Sequence, residues 1–417
     1  RDALTAVSLA FPLQNLVLSV AVGIGVGISA VISQSLGAKN TRAADAAAAN
    51  GLLLTAVHAV LFILFGLLFA KPFIGMFADD PEIYAMGCQY SLIVICFSCG
   101  NLFHIYFEKM FQATGNMLVP MVLMLIGALT NIVLDPILIF GLFGFPEMGV
   151  AGAAAATVIA QFVSCILSVA WFFLRPQPIR LSLRGFRPDG GMIRRIYAIG
   201  IPSSVMMALP SVLVGLLNAI LTPLSEAAVA MFGVYFKLQT FVFMPVFGLN
   251  QGALPVMGYN YGARNRKRLM GAYKITLTAA VVIMALGLVL FQLLPEQMLM
   301  LFVDKSDAAA AQEMIEVGVP ALKTISLSFL GAAFGIINST LFQATARGMN
   351  SLIVSVCRQL VVILPAAWIL GQQFGLNAVW YSFPIAEIAA FFISYILLWR
   401  EYRTELRFLG IEREAKA

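Results

Sequence analysis

Asn131 and Asp135 are the residues in this chain whose types and spacing could do chemistry where chemistry is costly. They stand at i and i+4, so a helix carries them one above the other on a single face. Asp135 is the one charged residue between 110 and 146, which places it in the middle of an apolar segment long enough to cross a bilayer (about 20 residues). An ionised carboxylate at that depth is expensive and marks a functional site by default. An amide oxygen beside a carboxylate offers two hard ligands to Na⁺, in which case Asp135 and Asn131 form a metal site. The same pair could instead hold a proton on Asp135, with Asn131 as its hydrogen-bond partner, and spacing does not separate the two. Pro136 donates no hydrogen bond and leaves the Ile132 carbonyl free, so a kink there could respond to the charge on Asp135.

Other polar residues fall into stripes. Thr157, Gln161, Ser164 and Ser168 repeat at helical spacing on the next apolar run. That face either turns Thr157 and Gln161 toward Asp135 or joins helices, since Ser and Thr are common at membrane helix interfaces. Asn101, His104, Glu108 and Gln112 form a second stripe, with Glu108 beside Lys109 near a helix end as an interfacial charge pair or a transport group. Lys237 and Arg358 are basic residues inside apolar runs, expected to be paired or snorkelling. Glu387 is a candidate partner for them or a second proton site. Nineteen Met and thirty-two Phe supply soft and aromatic surface, and Met206, Met207, Phe241, Phe243 and Met244 could line a cavity for flat lipophilic cations. The five cysteines are expected to pack as small hydrophobes, because the Cys96 and Cys99 pair has no companion ligands.

The elements that must position these groups are helices. Apolar residues make up 61% of the chain and charged residues 11%, against roughly 25% charged in an ordinary soluble domain. Reading from charge to charge gives spans at 3–38, 46–70, 83–107, 110–134, 148–174, 196–225, 238–262, 275–295, 324–346 and 359–399, the last split at the turn-rich stretch 371–375 to make eleven. None alternates as a barrel strand does, which leaves an all-α polytopic membrane protein. Basic residues gather in alternate loops (Lys39 and Arg42; six arginines between 175 and 195; Arg264, Arg266, Lys267 and Arg268; Arg400, Arg403, Arg407, Arg413 and Lys416). Acidic or basic-poor loops such as 79–82, 144–147, 223–226 and 304–307 lie between them. The positive-inside rule makes the basic set and the C-terminus cytoplasmic. The net charge of +6 is thus an orientation signal, and nucleic acid is not an expected partner.

The chain also repeats. Leu13-Gln14 and Gly37-Ala38-Lys39-Asn40 recur as Leu238-Gln239 and Gly262-Ala263-Arg264-Asn265 at an offset of 225, and Phe111-Gln112-Ala113-Thr114 recurs as Phe342-Gln343-Ala344-Thr345. The second copy holds one span, 196–222, without a counterpart in the first. The expectation is two six-helix bundles, twelve helices natively with about eleven here and the first missing. An N-lobe occupies 1–174, a basic cytoplasmic linker 175–195, a C-lobe 196–400 and a cytoplasmic tail 401–417.

With the repeat, the Gly-Ala-(Lys/Arg)-Asn turns, the twin Phe-Gln-Ala-Thr ends, the stretch 131–136, residues 243–250 and residues 148–153 together, the chain resembles the multidrug and toxic compound extrusion (MATE) family, prokaryotic type. The resemblance implies two lobes around a central cavity that alternate between inward and outward states. In one branch of that family a cation site combines an acid of the first helix, an Asn and an Asp four apart on the fifth, and a Thr of the sixth. Asn131 and Asp135 match the fifth-helix pair and Thr157 is the sixth-helix counterpart. A seventh-helix acid used by another branch has no match in 196–225.

The function expected is secondary active export of lipophilic, often cationic drugs or toxic compounds in exchange for H⁺ or Na⁺, from a monomer in the bilayer of a bacterial or archaeal cytoplasmic membrane. No cofactor is expected beyond the coupling ion. The alternative is a flippase for a lipid-linked precursor, which would need a basic cavity. A primary pump lacks its phosphate loop. An intramembrane enzyme ranks last, with only His58 and His104 as histidines and no His-Glu-x-x-His or Gly-x-Ser-x-Gly.

Overall fold

The structure, a computed structural model, describes residues 2–182, 184–302 and 308–410. The acidic loop at 304–307, together with Arg413 and Lys416 of the tail, lies outside the described residues. The helices are α1 (Asp2–Gly37), α2 (Thr41–Gly75), α3 (Pro81–Cys96), α4 (Cys99–Ala113), α5 (Leu118–Phe140), α6 (Gly149–Leu174), α7 (Gly190–Leu221) and α8 (Glu226–Gly262). They continue as α9 (Arg266–Leu293), α10 (Pro295–Met300), α11 (Ala308–Ser326), α12 (Phe329–Ala344), α13 (Gly348–Val356), α14 (Ile363–Phe374), α15 (Leu376–Val379) and α16 (Ser382–Thr404). Among the described residues, nine segments are long and apolar enough to cross a membrane, and eleven when α3 with α4 and α11 with α12 are each taken as one bent span. No strand occurs among the described residues, so the chain is an all-α polytopic membrane protein.

Several boundaries differ from the charge-to-charge reading, among them the starts of α8, α11 and α13, which lie 11 or more residues earlier than expected, and two bear on the site and the linker. The helix expected at 110–134 starts at Leu118, because α4 runs through Glu108 and Lys109 to Ala113. Asp135 therefore sits toward the C-terminal end of α5 rather than at its middle. At the linker, α7 begins at Gly190, inside the segment expected to be a strap.

The repeat is visible in backbone geometry. Lys39 and Arg264 both take a left-handed conformation (φ 57 and 53). Each is followed by an asparagine cap, Asn40 Oδ1 accepting from Ala43 N at 3.0 Å and Asn265 Oδ1 from Arg268 N at 3.1 Å. A side-chain cap of this kind satisfies one of the donors left open at a helix start. The bends fall at matching places too, α3 meeting α4 at 41° and α11 meeting α12 at 47°.

Packing divides the chain into two units, Arg1–Ala208 and Leu209–Ala417, with the boundary inside α7. The N-terminal half of α7 belongs to the first unit because glycines let it approach α1 closely. A Cβ on Gly27 would stand 2.4 Å from Ile196 O, and one on Gly23 would stand 2.3 Å from Ser204 N. Helices in lipid gain little from excluding water, so such backbone approach is what holds them together. In the same unit α5 lies on α6 with Gly152 against Leu138 O and Gly127 against Ser164. In the second unit, the run from α13 to α14 is broken by a π-helical segment, Cys357–Val362.

Candidate functional site

On α5, Asn131 Nδ2 donates to Asp135 Oδ1 at 3.2 Å, and both residues are half-buried. The i, i+4 spacing does what it predicts: the amide orients one carboxylate oxygen and leaves the other for a further ligand. Pro136 follows within a helix that continues to Phe140 and ends on left-handed Gly141 (φ 67).

A cavity of about 310 Å³ opens in the same unit, between α1, α3, α4 and α6. Its polar lining is Gln14, Asn15, Ser98, Asn101 and Gln161. Gln14 Nε2 donates to the Tyr90 hydroxyl at 3.3 Å. The Gln161 amide oxygen is buried without a partner, an acceptor held ready in an amide-lined space. Sequence reasoning singled out Asn101 and Gln161 but not Gln14, Asn15, Ser98 or Tyr90. The signal available for Ser98 was its repeat counterpart, Ser328, at the matching bend.

The structure separates the two polar stripes into roles. Thr157 Oγ1 donates to Ala153 O of its own helix at 3.0 Å, and no contact with Asp135 accompanies it among the bonds described. Ser164 donates to Leu123 O at 3.3 Å and Ser168 to Ser164 O at 2.7 Å. His104 Nδ1 lies 3.1 Å from Ser168 Oγ. The Ser164–Leu123 bond fastens α5 to α6 and the His104–Ser168 contact fastens α4 to α6.

Glu108 and Lys109 form the charge pair that their adjacency suggests. Both are buried, at 7% and 1% exposure, and they close a triangle with Gln112. Lys109 Nζ bonds Glu108 Oε1 at 3.1 Å and Gln112 Oε1 at 3.0 Å, and Gln112 Nε2 bonds Glu108 Oε1 at 2.8 Å. Gly25 of α1 makes the room, since a Cβ there would come within 2.7 Å of Lys109 Cγ.

In the second unit the two basic residues singled out within the spans, Arg358 and Lys237, each have a neighbour. Arg358, in the π-helical segment, donates from Nη1 to Glu387 Oε1 of α16 at 3.1 Å. Gly331 and Gly335 of α12 face this pair, and Glu387 Oε2 is buried without a partner. The Lys237 ammonium lies 5.9 Å from the Phe302 ring centroid. Phe243 packs edge-on against Phe329 at 5.4 Å. Met207, Phe241 and Met244 are exposed and Met206 is half-buried. Outside the spans, the hydrogen bond from Arg347 to Glu405 (2.6 Å) raises the guanidinium above its usual value, against a smaller opposing effect of burial. The five cysteines are free, and no group of three or more His, Cys, Asp or Glu side chains suited to a metal occurs among the described residues.

A polytopic helical chain with an amide-lined cavity and, in the same unit, an acid within a span whose bonded side-chain partner is a neutral amide has the make-up of a membrane carrier. The comparisons give that class a family. The MatE family model matches residues 1–137 and 202–369, and the chain belongs to that family of transporters, not to the enzymes. The multidrug export protein MepA of Staphylococcus aureus is 26% identical over 398 residues, 94% of this chain and 86% of that protein. MepA of Staphylococcus haemolyticus is 25% identical over 396 residues, 95% of this chain and 85% of that protein.

Among solved structures, one described as the outward-facing conformation of a multidrug resistance MATE family transporter of the MOP superfamily matches with a TM-score of 0.89 at 28% identity. It covers 98% of this chain and 89% of that one. A MOP superfamily transporter from Pyrococcus furiosus, whose binding pocket is described as having a reverse polarity that suggests a different function, matches with a TM-score of 0.90 at 27% identity. The coverage is again 98% and 89%.

Proposed function

We propose that this chain is a secondary active exporter that moves lipophilic, often cationic compounds outward in exchange for H⁺ or Na⁺, with its basic loops and C-terminus on the cytoplasmic side. The observation that carries the reading is the Asn131–Asp135 pair at 3.2 Å in the unit that also holds the amide-lined cavity. Asp135 holds the coupling ion, either as a proton on its carboxyl or as Na⁺ shared with the Asn131 amide oxygen. Oxygen donors of this kind suit a hard cation. Gain or loss of that charge alters the relative stability of the two access states, because a ligand shifts such an equilibrium only by its differential affinity for them. Gln161, Gln14, Asn15 and Asn101 offer the exported compound hydrogen bonds, and Thr157 is a further oxygen donor on the facing helix once it gives up its backbone bond. The named relatives support drug-like small molecules as the cargo. A flippase would hold phosphates on cations within the spans, and the two candidates for that, Arg358 and Lys237, are engaged with Glu387 and Phe302.

Purified protein in vesicles with an imposed pH or Na⁺ gradient tests the reading. Asp135→Asn is expected to abolish gradient-driven ethidium export while leaving ethidium binding within about three-fold, since roughly 0.6 kcal/mol separates a two- to three-fold change from none. Undiminished gradient-driven export by that variant would remove Asp135 from the mechanism. Export by the parent that responds to neither gradient would end the antiport reading.

A further inference from the structure

The turns joining α1 to α2 and α8 to α9 are copies with different charge. At the offset of 225, Thr41, Arg42, Asp45 and Ala49 of the first copy correspond to Arg266, Lys267, Met270 and Lys274 of the second. In the first copy the segment leaving α6 closes over the turn, Arg180 N donating to Asp45 Oδ1 at 2.8 Å. In the second copy the segment leaving α16 does the same with the polarity reversed. Arg266 Nη1 donates to the Arg407 carbonyl at 3.5 Å, Arg266 Nη2 donates to the Tyr402 hydroxyl, and the guanidinium lies 5.2 Å from the Tyr402 ring centroid.

A cavity of about 990 Å³ remains at the second turn. Its lining includes Arg264, Arg266, Lys267, Lys274 and Arg407 and, among the described residues, no acid. The acids of the adjoining segment are engaged elsewhere. Glu405 takes Arg347 at 2.6 Å and the Tyr261 hydroxyl, and Glu401 lies 3.8 Å from Arg347. Arg264 interacts with the charge of Glu405, which leaves Arg266, Lys267, Lys274 and Arg407 as cations crowded around one space.

We propose that this cavity binds a phosphate-bearing anion, either the headgroup of an acidic phospholipid or a free phosphate. An arginine held in place by Tyr402 and a backbone carbonyl presents its remaining donors in the fork that matches phosphate oxygens. Lysines add point charge, and the first turn of α9, a 28-residue helix, contributes its open N–H groups and the positive end of its dipole. A cluster of basic residues at a span end meets the negative surface of the cytoplasmic leaflet. That last argument rests on the orientation proposed above, whereas binding by solubilised protein does not, so the two fail separately.

Calorimetric titration of the purified full chain in uncharged detergent tests the site, with dihexanoyl phosphatidylglycerol, dihexanoyl phosphatidylcholine and inorganic phosphate as separate probes. Saturable binding of one phosphatidylglycerol, and little of the phosphatidylcholine, is expected. Each cation removed is expected to weaken binding about five-fold, so Lys274→Gln gives about five-fold and Arg266→Gln/Lys267→Gln/Lys274→Gln about 100-fold. The control Lys39→Gln/Arg42→Gln, in the first copy of the turn, is expected to stay within about two-fold of the parent. Phosphate binding as tight as phosphatidylglycerol, and lost in the triple variant, assigns the site to a soluble phosphate. Equal affinity in the parent, Lys274→Gln and the triple variant overturns the proposal, as does an equal loss in the first-copy control.

Discussion

At the scale of the residue, two acids and one amide in the first unit behave differently because of what stands within a few ångströms. Asp135 has one neutral partner, the Asn131 amide at 3.2 Å, so its charge is open to a mobile ion. Glu108 has Lys109 and Gln112, each within 3.1 Å, so its charge is already balanced inside the helix bundle. Breaking such a pair on one side is costly, while removing both charges is close to neutral. Lys109→Met is therefore expected to destabilise the protein by about 3 kcal/mol, and Lys109→Met/Glu108→Gln to recover more than half of that loss. Thermal unfolding in detergent reads both. A single variant as stable as the parent would show that the pair contributes nothing. Sequence made Asp135 legible because a lone acid stands out in an apolar run. It also named Glu108 and Lys109 as a charge pair, which they form, but not their burial, since adjacent residues on a helix point apart. Only the three-dimensional path of the two long side chains, over Gln112 and into the space left by Gly25, brings them together.

At the scale of the element, apolar length gave the spans, and a rule that ends a span at each charge displaced their boundaries, α5 starting at Leu118 and α8 at Glu226. α4 passes through Glu108 and Lys109 because the two neutralise each other, and it stops five residues later at Phe111-Gln112-Ala113-Thr114. What stops it is a left-handed residue, Gly115 (φ 85), and the second copy of the motif stops in the same way at Ala346 (φ 61). The bends within the third and ninth spans were not legible, since neither a proline nor a run of glycines marks them, whereas the π-helical segment at Cys357–Val362 is followed by Pro365, which cannot donate to the Val361 carbonyl. Left-handed backbone costs a non-glycine residue about 1 kcal/mol or more, and glycine gives back part of that through a looser unfolded state. Ala346→Gly is thus expected to stabilise the protein by about 0.5 kcal/mol, and Gly115→Ala to destabilise it by about 1 kcal/mol. The second change meets no steric obstacle, as nothing lies within 4 Å of a Cβ placed there. Unfolding midpoints that move the other way would mean that these helix ends are not set by backbone conformation.

At the scale of the whole molecule, the two units share a scaffold and differ in where charge is left open. Counting from the left-handed glycines Gly149 and Gly375, Gln161 of α6 and Glu387 of α16 fall at the same repeat position. Each has a buried oxygen without a partner. In the first unit that position is neutral and the free acid is Asp135. In the second the acid is tied to Arg358 at 3.1 Å, and the residue matching Asp135 beside the shared proline, Leu364, is apolar. If coupling belongs to an acid whose charge is free to change, it belongs to the first unit, and Glu387 serves to keep Arg358 inside the bundle. Glu387→Gln is then expected to cost about 2 kcal/mol in stability, less than the loss of a fully enclosed partner because Arg358 is 20% exposed. The same variant is expected to retain gradient-driven transport per folded molecule, in contrast to Asp135→Asn. Flux measurements in vesicles, normalised to folded protein, separate the two acids. Loss of gradient response in Glu387→Gln at parental fold content would mean that both units carry coupling charge.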